Sequence, residues 1–345
     1  MNSINVKLMV DTVYIREVEK EDVEDLIELY ALTGWKLDIE HANRMIEQFA
    51  KSNYSKILVA DLNGKVVGKV TLDKVFPPYA EIVNLVVHPI YQGKGVGSRL
   101  VEECINRAVK TGYNVVYLMC DPLDQRIHKF YAKLGFLPGI LGDLGGPRGD
   151  MWLYYFGEGS FVRKFLNDHP FAEFKVSRGK TNFHMVSFYS MRWTDPISND
   201  SLEVFIRGQP GQPLEGGTMP RIGGVKLEFG QLSLDCWIVE ESMDISMGSP
   251  GRFSLNLFNR SDKSLSVHLN TLSPMPRGIS LSIKSQPDIT IHPKENLTIE
   301  GEIMISEKFD APLKYLSFPT VISSLALRFS QNVAIIVSAG FNVPS

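Results

Sequence analysis

The stretch 81–112 constrains what this chain can fold into more than any other. It reads Glu81-Ile82-Val83-Asn84-Leu85-Val86-Val87-His88-Pro89, passes through Ile90-Tyr91-Gln92-Gly93-Lys94-Gly95-Val96-Gly97, and runs on to Gly112. The β-branched apolar run 82–87 has strand length and is closed by Pro89. Beyond Gly97, the residues Leu100, Val101, Cys104, Ile105, Ala108 and Val109 recur at helical spacing, and Gly112 supplies a left-handed stop. A buried strand therefore feeds through a glycine-rich turn into a helix N-terminus. Three glycines at alternate positions remove the Cβ atoms that would block a ligand. The N–H groups of the first helical turn, at the positive end of the dipole, then face an anion, and a phosphate is the natural guest.

Three phosphate-binding patterns compete for this turn. A P-loop needs Lys-Ser/Thr after its last glycine, and here Ser98-Arg99 follows Gly97. A dinucleotide fingerprint needs a third glycine near Leu100 and an acidic residue about 20 positions later at a strand end. Neither is met. The turn does resemble the Gln/Arg-x-x-Gly-x-Gly/Ala acyl-CoA site of the GNAT superfamily of N-acetyltransferases, with Gln92, Gly95 and Gly97 in the pattern. Val87-His88-Pro89-Ile90-Tyr91 is similar to that family's strand end and lead-in. A second stretch, Asp124-Gln125-Arg126-Ile127-His128-Lys129-Phe130-Tyr131-Ala132-Lys133-Leu134-Gly135-Phe136, resembles the family's helix with a Tyr-x-Lys-x-Gly-Phe ending. It departs twice, with Asp124 where many members have Asn and Ile127 where they have Ala. The resemblance covers residues 13–156, under half of the chain.

Composition bounds the rest. A chain of 345 residues is comfortable for two domains, and 44% hydrophobic with 22% charged residues is ordinary for a globular protein. A net charge of −3 gives no bulk attraction to nucleic acid or acidic membranes. No apolar run nears the roughly 18 residues of a membrane span, and the N-terminus lacks a signal-peptide core, so a cytoplasmic protein is expected. Cys104, Cys120 and Cys236 lie far apart and read as small hydrophobes in a reducing compartment, with no metal site.

In order, the pattern predicts a strand at 13–16, helices opened by Glu19-Lys20-Glu21-Asp22 and over 39–51, and a hairpin of 56–62 and 65–72 joined by Asn63-Gly64. The central strand and helix follow, then a strand at 114–120, a helix at 123–134 and a strand at 151–156. This order resembles the GNAT fold, an α+β mixed sheet flanked by helices. From residue 157 the pattern changes. A helical turn at 161–166 precedes short β-rich runs, and 208–224, dense in Gly and Pro, reads as a long loop. From Val225 short strands recur without helices, which predicts an all-β sandwich of immunoglobulin-like type. The expected domains are 1–158 for the acyl-CoA-binding acetyltransferase, 159–224 for a β-rich connection and 225–345 for the sandwich.

Acetyl transfer to an amine requires removal of a proton, stabilisation of an oxyanion and protonation of the leaving thiolate. The resemblance implies that Leu85, Val86 and Val87 hold the pantetheine arm, that Gln92, Gly93, Lys94, Gly95, Val96, Gly97 and Ser98 hold the pyrophosphate, and that Asp124 lies near the arm. Glu81, in an Ala-Glu-Ile-Val context similar to that of histone-type members, is the candidate base, set against a solvated residue at a strand mouth. Period two puts it on the face of Val83, Leu85 and Val87. Tyr131, a phenol with a pKa of about 10, is the candidate acid, set against a packed core tyrosine. Tyr30, Trp35 and Tyr79 are candidates for acceptor binding. His88 is expected at the surface, and His128 on either helix face.

The expected function is an acetyl-CoA-dependent N-acetyltransferase that moves the acetyl group to a primary amine by direct attack in a ternary complex. The competing reading is a non-catalytic acyl-CoA sensor or scaffold whose β-domain binds a partner. The acceptor, small molecule or protein, is not written in the sequence. Homo-oligomerisation through the β-domain is the expected assembly, with no nucleic-acid or membrane partner.

Overall fold

The computed structural model describes residues 13–137, 141–142, 150–180, 187–207, 221–242, 244–273, 275–309, 320–330 and 333–343. The chain forms two compact units, Met1–Asp73 with Ile82–Arg107, and Lys74–Glu81 with Ala108–Ser345.

The first unit begins with β1 (Tyr14–Glu17), α1 (Val23–Ala31), α2 (Ile39–Lys51), β2 (Ser55–Leu62) and β3 (Lys65–Lys74). β4 (Tyr79–Val87) and α3 (Val96–Lys110) follow, and their strand order is β1-β2-β3-β4. β1, β2 and β3 pair antiparallel. The amphipathic pattern seats α1 and α2 on the sheet: Leu26, Leu29, Tyr30 and Ile46 form one buried cluster with Ile57, Val59, Val66 and Val86. Asp38 caps α2 by accepting from the His41 backbone N–H.

In the second unit, Tyr79–Glu81 of β4 pair parallel with β5 (Val115–Cys120). After α4 (Gln125–Lys133) come β6 (Leu141–Gly142) and β7 (Asp150–Phe156), in the order β4-β5-β7-β6. α5 (Phe161–Asp168) then leads into β8 (Glu173–Lys180), β9 (Ser187–Thr194), β10 (Ser201–Arg207), β11 (Arg221–Phe229), β12 (Leu232–Glu240) and β13 (Gly251–Asn259). β14 (Leu265–Thr271), β15 (Ile279–Ile283), β16 (Asp288–Ile291), β17 (Asn296–Ile305), β18 (Thr320–Ser330) and β19 (Val333–Asn342) complete it. They form two antiparallel sheets, β15-β17-β13-β12-β11-β10-β9-β8 and β16-β14-β18-β19. The region from residue 157 is thus mostly antiparallel β-structure, as its alternating pattern requires.

The compact units do not follow the expected limits at 158 and 224. Tyr79, Val115, Phe156 and Phe161 share one buried cluster with Val204, Ile222, Val225, Val321 and Val337. A limit near 158 would cut through that core. The expected loop at 208–224 falls outside the described residues for 208–220, and its end is the start of β11. Gly223 serves a close approach there, since a Cβ would collide with Arg207 Cδ. No helix among the described residues is long and apolar enough to cross a membrane.

Candidate acyl-CoA site

The glycine turn has the geometry its sequence requires. Pro89–Tyr91 make one 3₁₀ turn and Gln92 is extended. Gly93 and Gly95 then adopt φ of 72° and 82°, a left-handed backbone that favours glycine, and nothing approaches within 4 Å of a Cβ built at either. α3 starts at Val96, and the Arg99 N–H donates to Gly95 O at 3.1 Å. The N–H groups of Val96, Gly97 and Ser98 therefore precede the first helical hydrogen bond and are available to an anion. Val96 and Leu100 pack down over Gly68 of β3, where a Cβ would meet the Val86 carbonyl at 3.1 Å. The Gln92 side chain turns back and donates to Val87 O at 2.9 Å, so it ties the turn to the strand end. The Lys94 ammonium lies 5.4 Å over the Tyr91 ring.

The strand before the turn is not regular. Asn84 sits at φ 55° with its side chain exposed, a conformation in which Asn is several-fold enriched. Burial along the strand is continuous from Tyr79 to Ile82 and mixed from Val83 to Val87. Lys69 of β3 donates from Nζ to the Asn84 carbonyl at 3.2 Å, and the same Nζ lies 3.7 Å from the centroid of Tyr30. Lys69 is 0% exposed, and desolvation pushes its amine down to about 7. Tyr30 is buried, and its phenol is raised by burial first and by Asp73 second. Trp35, 63% exposed, lies 6.4 Å from Tyr30 ring to ring, so the two expected acceptor residues are neighbours. His88, expected at the surface, is instead largely buried and set 3.2 Å from a Glu28 carboxylate oxygen.

The remaining candidates belong to the second unit. Glu81 is not at an open strand mouth: it is 0% exposed, and the Tyr117 hydroxyl donates to its Oε2 at 3.5 Å. Tyr117 packs against Trp152 and Tyr154 with ring centroids 5.7 and 6.3 Å away. The Tyr154 hydroxyl and the Trp152 Nε1 are buried without a hydrogen-bond partner among the described residues. Burial raises the Tyr154 phenol, with Tyr79 and Glu81 adding to the shift. Tyr79 is the third residue expected to bind acceptor. It is 1% exposed, and its hydroxyl is engaged by Ser338 Oγ at 2.6 Å and by the Ile222 N–H at 2.8 Å. Tyr131 is buried in a different aromatic group, edge-on to Phe130 at 4.9 Å and Phe136 at 5.5 Å. Asp124 caps α4, accepting from the Arg126 and Ile127 N–H groups, and the Arg126 side chain leads the causes that lower its pKa. His128 faces outward from that helix, with Nε2 2.9 Å from Asp121 O.

Sequence patterning missed Lys69, Asn84 and Tyr117. A lysine in a strand reads as an exposed position, and an asparagine inside an apolar run gives one weak signal of a left-handed residue. Among the described residues, no group of three or more His, Cys, Asp or Glu is placed to hold a metal ion.

A mixed sheet flanked by helices, whose fourth strand leads through a glycine turn into a helix N-terminus, defines an α+β class of domain. Residues 20–136 match the Acetyltransferase (GNAT) family and form a GNAT acetyltransferase domain. An uncharacterized N-acetyltransferase of Methanocaldococcus jannaschii is 29% identical over 146 residues, which cover 39% of this chain and 65% of that protein. Another, from Archaeoglobus fulgidus, is 28% identical over 132 residues, covering 34% of this chain and 89% of that protein. A solved PaiA N-acetyltransferase from Thermoplasma acidophilum, in complex with coenzyme A, is 21% identical, with a TM-score of 0.35, and covers 42% of this chain and 99% of that one.

Proposed function

We propose that this chain is an acetyl-CoA-dependent N-acetyltransferase acting on a primary amine by direct attack in a ternary complex. The observation that carries the reading is the turn itself: Gly93 and Gly95 in left-handed backbone, followed by the unbonded N–H groups of Val96, Gly97 and Ser98. A pyrophosphate seated there would be met by N–H dipoles and by the Lys94 ammonium, and Gln92 would keep the turn fixed to Val87. The pantetheine arm would run along Leu85, Val86 and Val87. A backbone N–H of that strand would polarise the thioester carbonyl, and such a donor costs no reorganisation in the reaction.

In the transfer, the amine nitrogen bonds to the thioester carbon and the C–S bond breaks. The proton lost by the amine goes to Glu81, and the departing thiolate takes a proton from the Tyr131 phenol. Burial of Glu81 beside the Tyr117 hydroxyl gives the base a dry setting, in which its charge acts more strongly on an amine than it would in water. Release of free thiol from acetyl-CoA, measured against a panel of primary amines, tests the reading. The expected result is amine-dependent thiol release, together with a thermal shift by CoA. A CoA shift with no thiol release from any amine would favour the acyl-CoA sensor. No CoA shift would remove both.

A further inference from the structure

We infer that Lys69 is a positioning residue of the acyl-CoA strand, acting through its hydrogen bond to the Asn84 carbonyl. The inference rests on the proposed seating of the pantetheine arm along residues 85–87. Lys69 Nζ is enclosed in the first unit between the Tyr30 ring at 3.7 Å and Asn84 O at 3.2 Å. Among the described residues no carboxylate lies within 4 Å of it. Its strand partner across β2 is Val59, itself buried in the apolar cluster with Ile57, Leu29 and Tyr30.

A lysine there is expensive. Burial without a carboxylate costs the ammonium its hydration, and a methionine of like volume would fill the space with no such penalty. The amine has two partners to show for that cost, and each belongs to a part of the proposed site. One is the ring of the residue expected in the acceptor wall. The other is the carbonyl of the one residue in β4 with a positive φ. That residue directly precedes Leu85, so its peptide orientation sets where the next N–H groups of the strand point. A donor on the Asn84 carbonyl selects one orientation of that peptide, and a packed side chain selects none.

The test separates the two ends of the cofactor. Wild type, Lys69→Met and Asn84→Val are titrated by calorimetry with acetyl-CoA and with adenosine 3′,5′-bisphosphate, which lacks the pantetheine arm and thioester. Lys69→Met keeps the volume and removes the donor; Asn84→Val removes the positive-φ backbone at that position, because a β-branched residue resists φ near 55°. Both variants are expected to bind acetyl-CoA about tenfold more weakly, with the bisphosphate affinity unchanged. Equal loss for both ligands would assign Lys69 a general structural role, and unchanged acetyl-CoA affinity in either folded variant would overturn the inference. If Lys69→Met does not fold, Asn84→Val decides alone. Absence of acetyl-CoA binding to wild type would remove the proposed function itself, and this inference with it; binding by wild type with both variants unaffected would remove the inference alone.

Discussion

The Tyr79 hydroxyl lies 2.6 Å from the Ser338 hydroxyl, 259 residues away in sequence. Ser338 is in turn 2.8 Å from Ser324, and the Ile222 N–H donates to the same phenol at 2.8 Å. Two residues before Glu81, the strand is therefore tied to β19 and β11 through a buried polar junction, and burial pushes the phenol up to about 12. Tyr79→Phe would leave the Ile222 N–H and the Ser338 hydroxyl without this partner. The expected loss of stability is about 1–3 kcal/mol in denaturant unfolding. A change within error would show that the two groups find other partners.

The same junction bears on truncation. A chain ending near Gly159 would strip Tyr79, Val115 and Phe156 of the β-strands that complete their cluster. We expect that fragment to lack cooperative unfolding and to expose apolar surface to a hydrophobic dye. A fragment with a sharp transition would restore a limit near residue 158.

Gly95→Val places a β-branched side chain at φ 82° in the turn. Open space around the position means that the strain is in the backbone, not in packing. The expected outcome is loss of the CoA-induced thermal shift with little change in the melting temperature of the free protein. A retained shift would place CoA elsewhere.

Glu81→Gln removes the proposed base while keeping a hydrogen-bonding group beside Tyr117. Once an acceptor amine is known, turnover should fall about 10²–10⁴-fold and the ascending limb of its pH profile should disappear. Tyr131→Phe should slow turnover with CoA affinity retained; if it mainly lowers the melting temperature, the phenol is a core group packed with Phe130 and Phe136.

Lys69 gives a pH signature independent of activity. Its folded value of about 7 lies below that of a free lysine, so between the two the unfolded chain binds more protons than the folded one. Stability from this group therefore rises with pH across that window, at a limiting slope of about 1.4 kcal/mol per pH unit, and is flat below pH 7. The stability difference between Lys69→Met and wild type should shrink from pH 7 to pH 9 in denaturant unfolding. A constant difference would mean that the lysine stays charged in the folded chain.

At the end of β12, Glu240 lies between Arg221 of β11 at 2.9 Å and Arg207 of β10 at 2.8 Å, all three side chains largely buried. Burial works to raise the Glu240 carboxyl, but Arg221 and Arg207 together hold it below the usual range. Its stabilisation is therefore present above the unfolded carboxylate value and is lost as pH falls through the lower folded one. Glu240→Gln leaves two buried guanidiniums facing each other, and we expect a cost of about 3–5 kcal/mol. A loss below 1 kcal/mol would show that water reaches the arginines.

What the amino-acid sequence determined by itself was local. The run 82–87 is a strand, the alternate glycines allow the turn, and the apolar spacing beyond Gly97 makes a helix, because propensity, turn chemistry and periodicity act over a few residues. The same is true of the Asn63-Gly64 hairpin and of the alternating strands beyond residue 225. Only the tertiary structure decided what those elements enclose. It tied the Tyr79 hydroxyl to Ser338 and Ile222, buried Glu81 beside Tyr117, and set Lys69 beside Asn84 and Tyr30. Those outcomes depend on partners 15 to 259 residues away, and no local pattern encodes which distant side chain will remove a polar group from water. The limit between the units followed the same logic, since a hydrophobic cluster is drawn by which surfaces meet and not by where the strand pattern changes character.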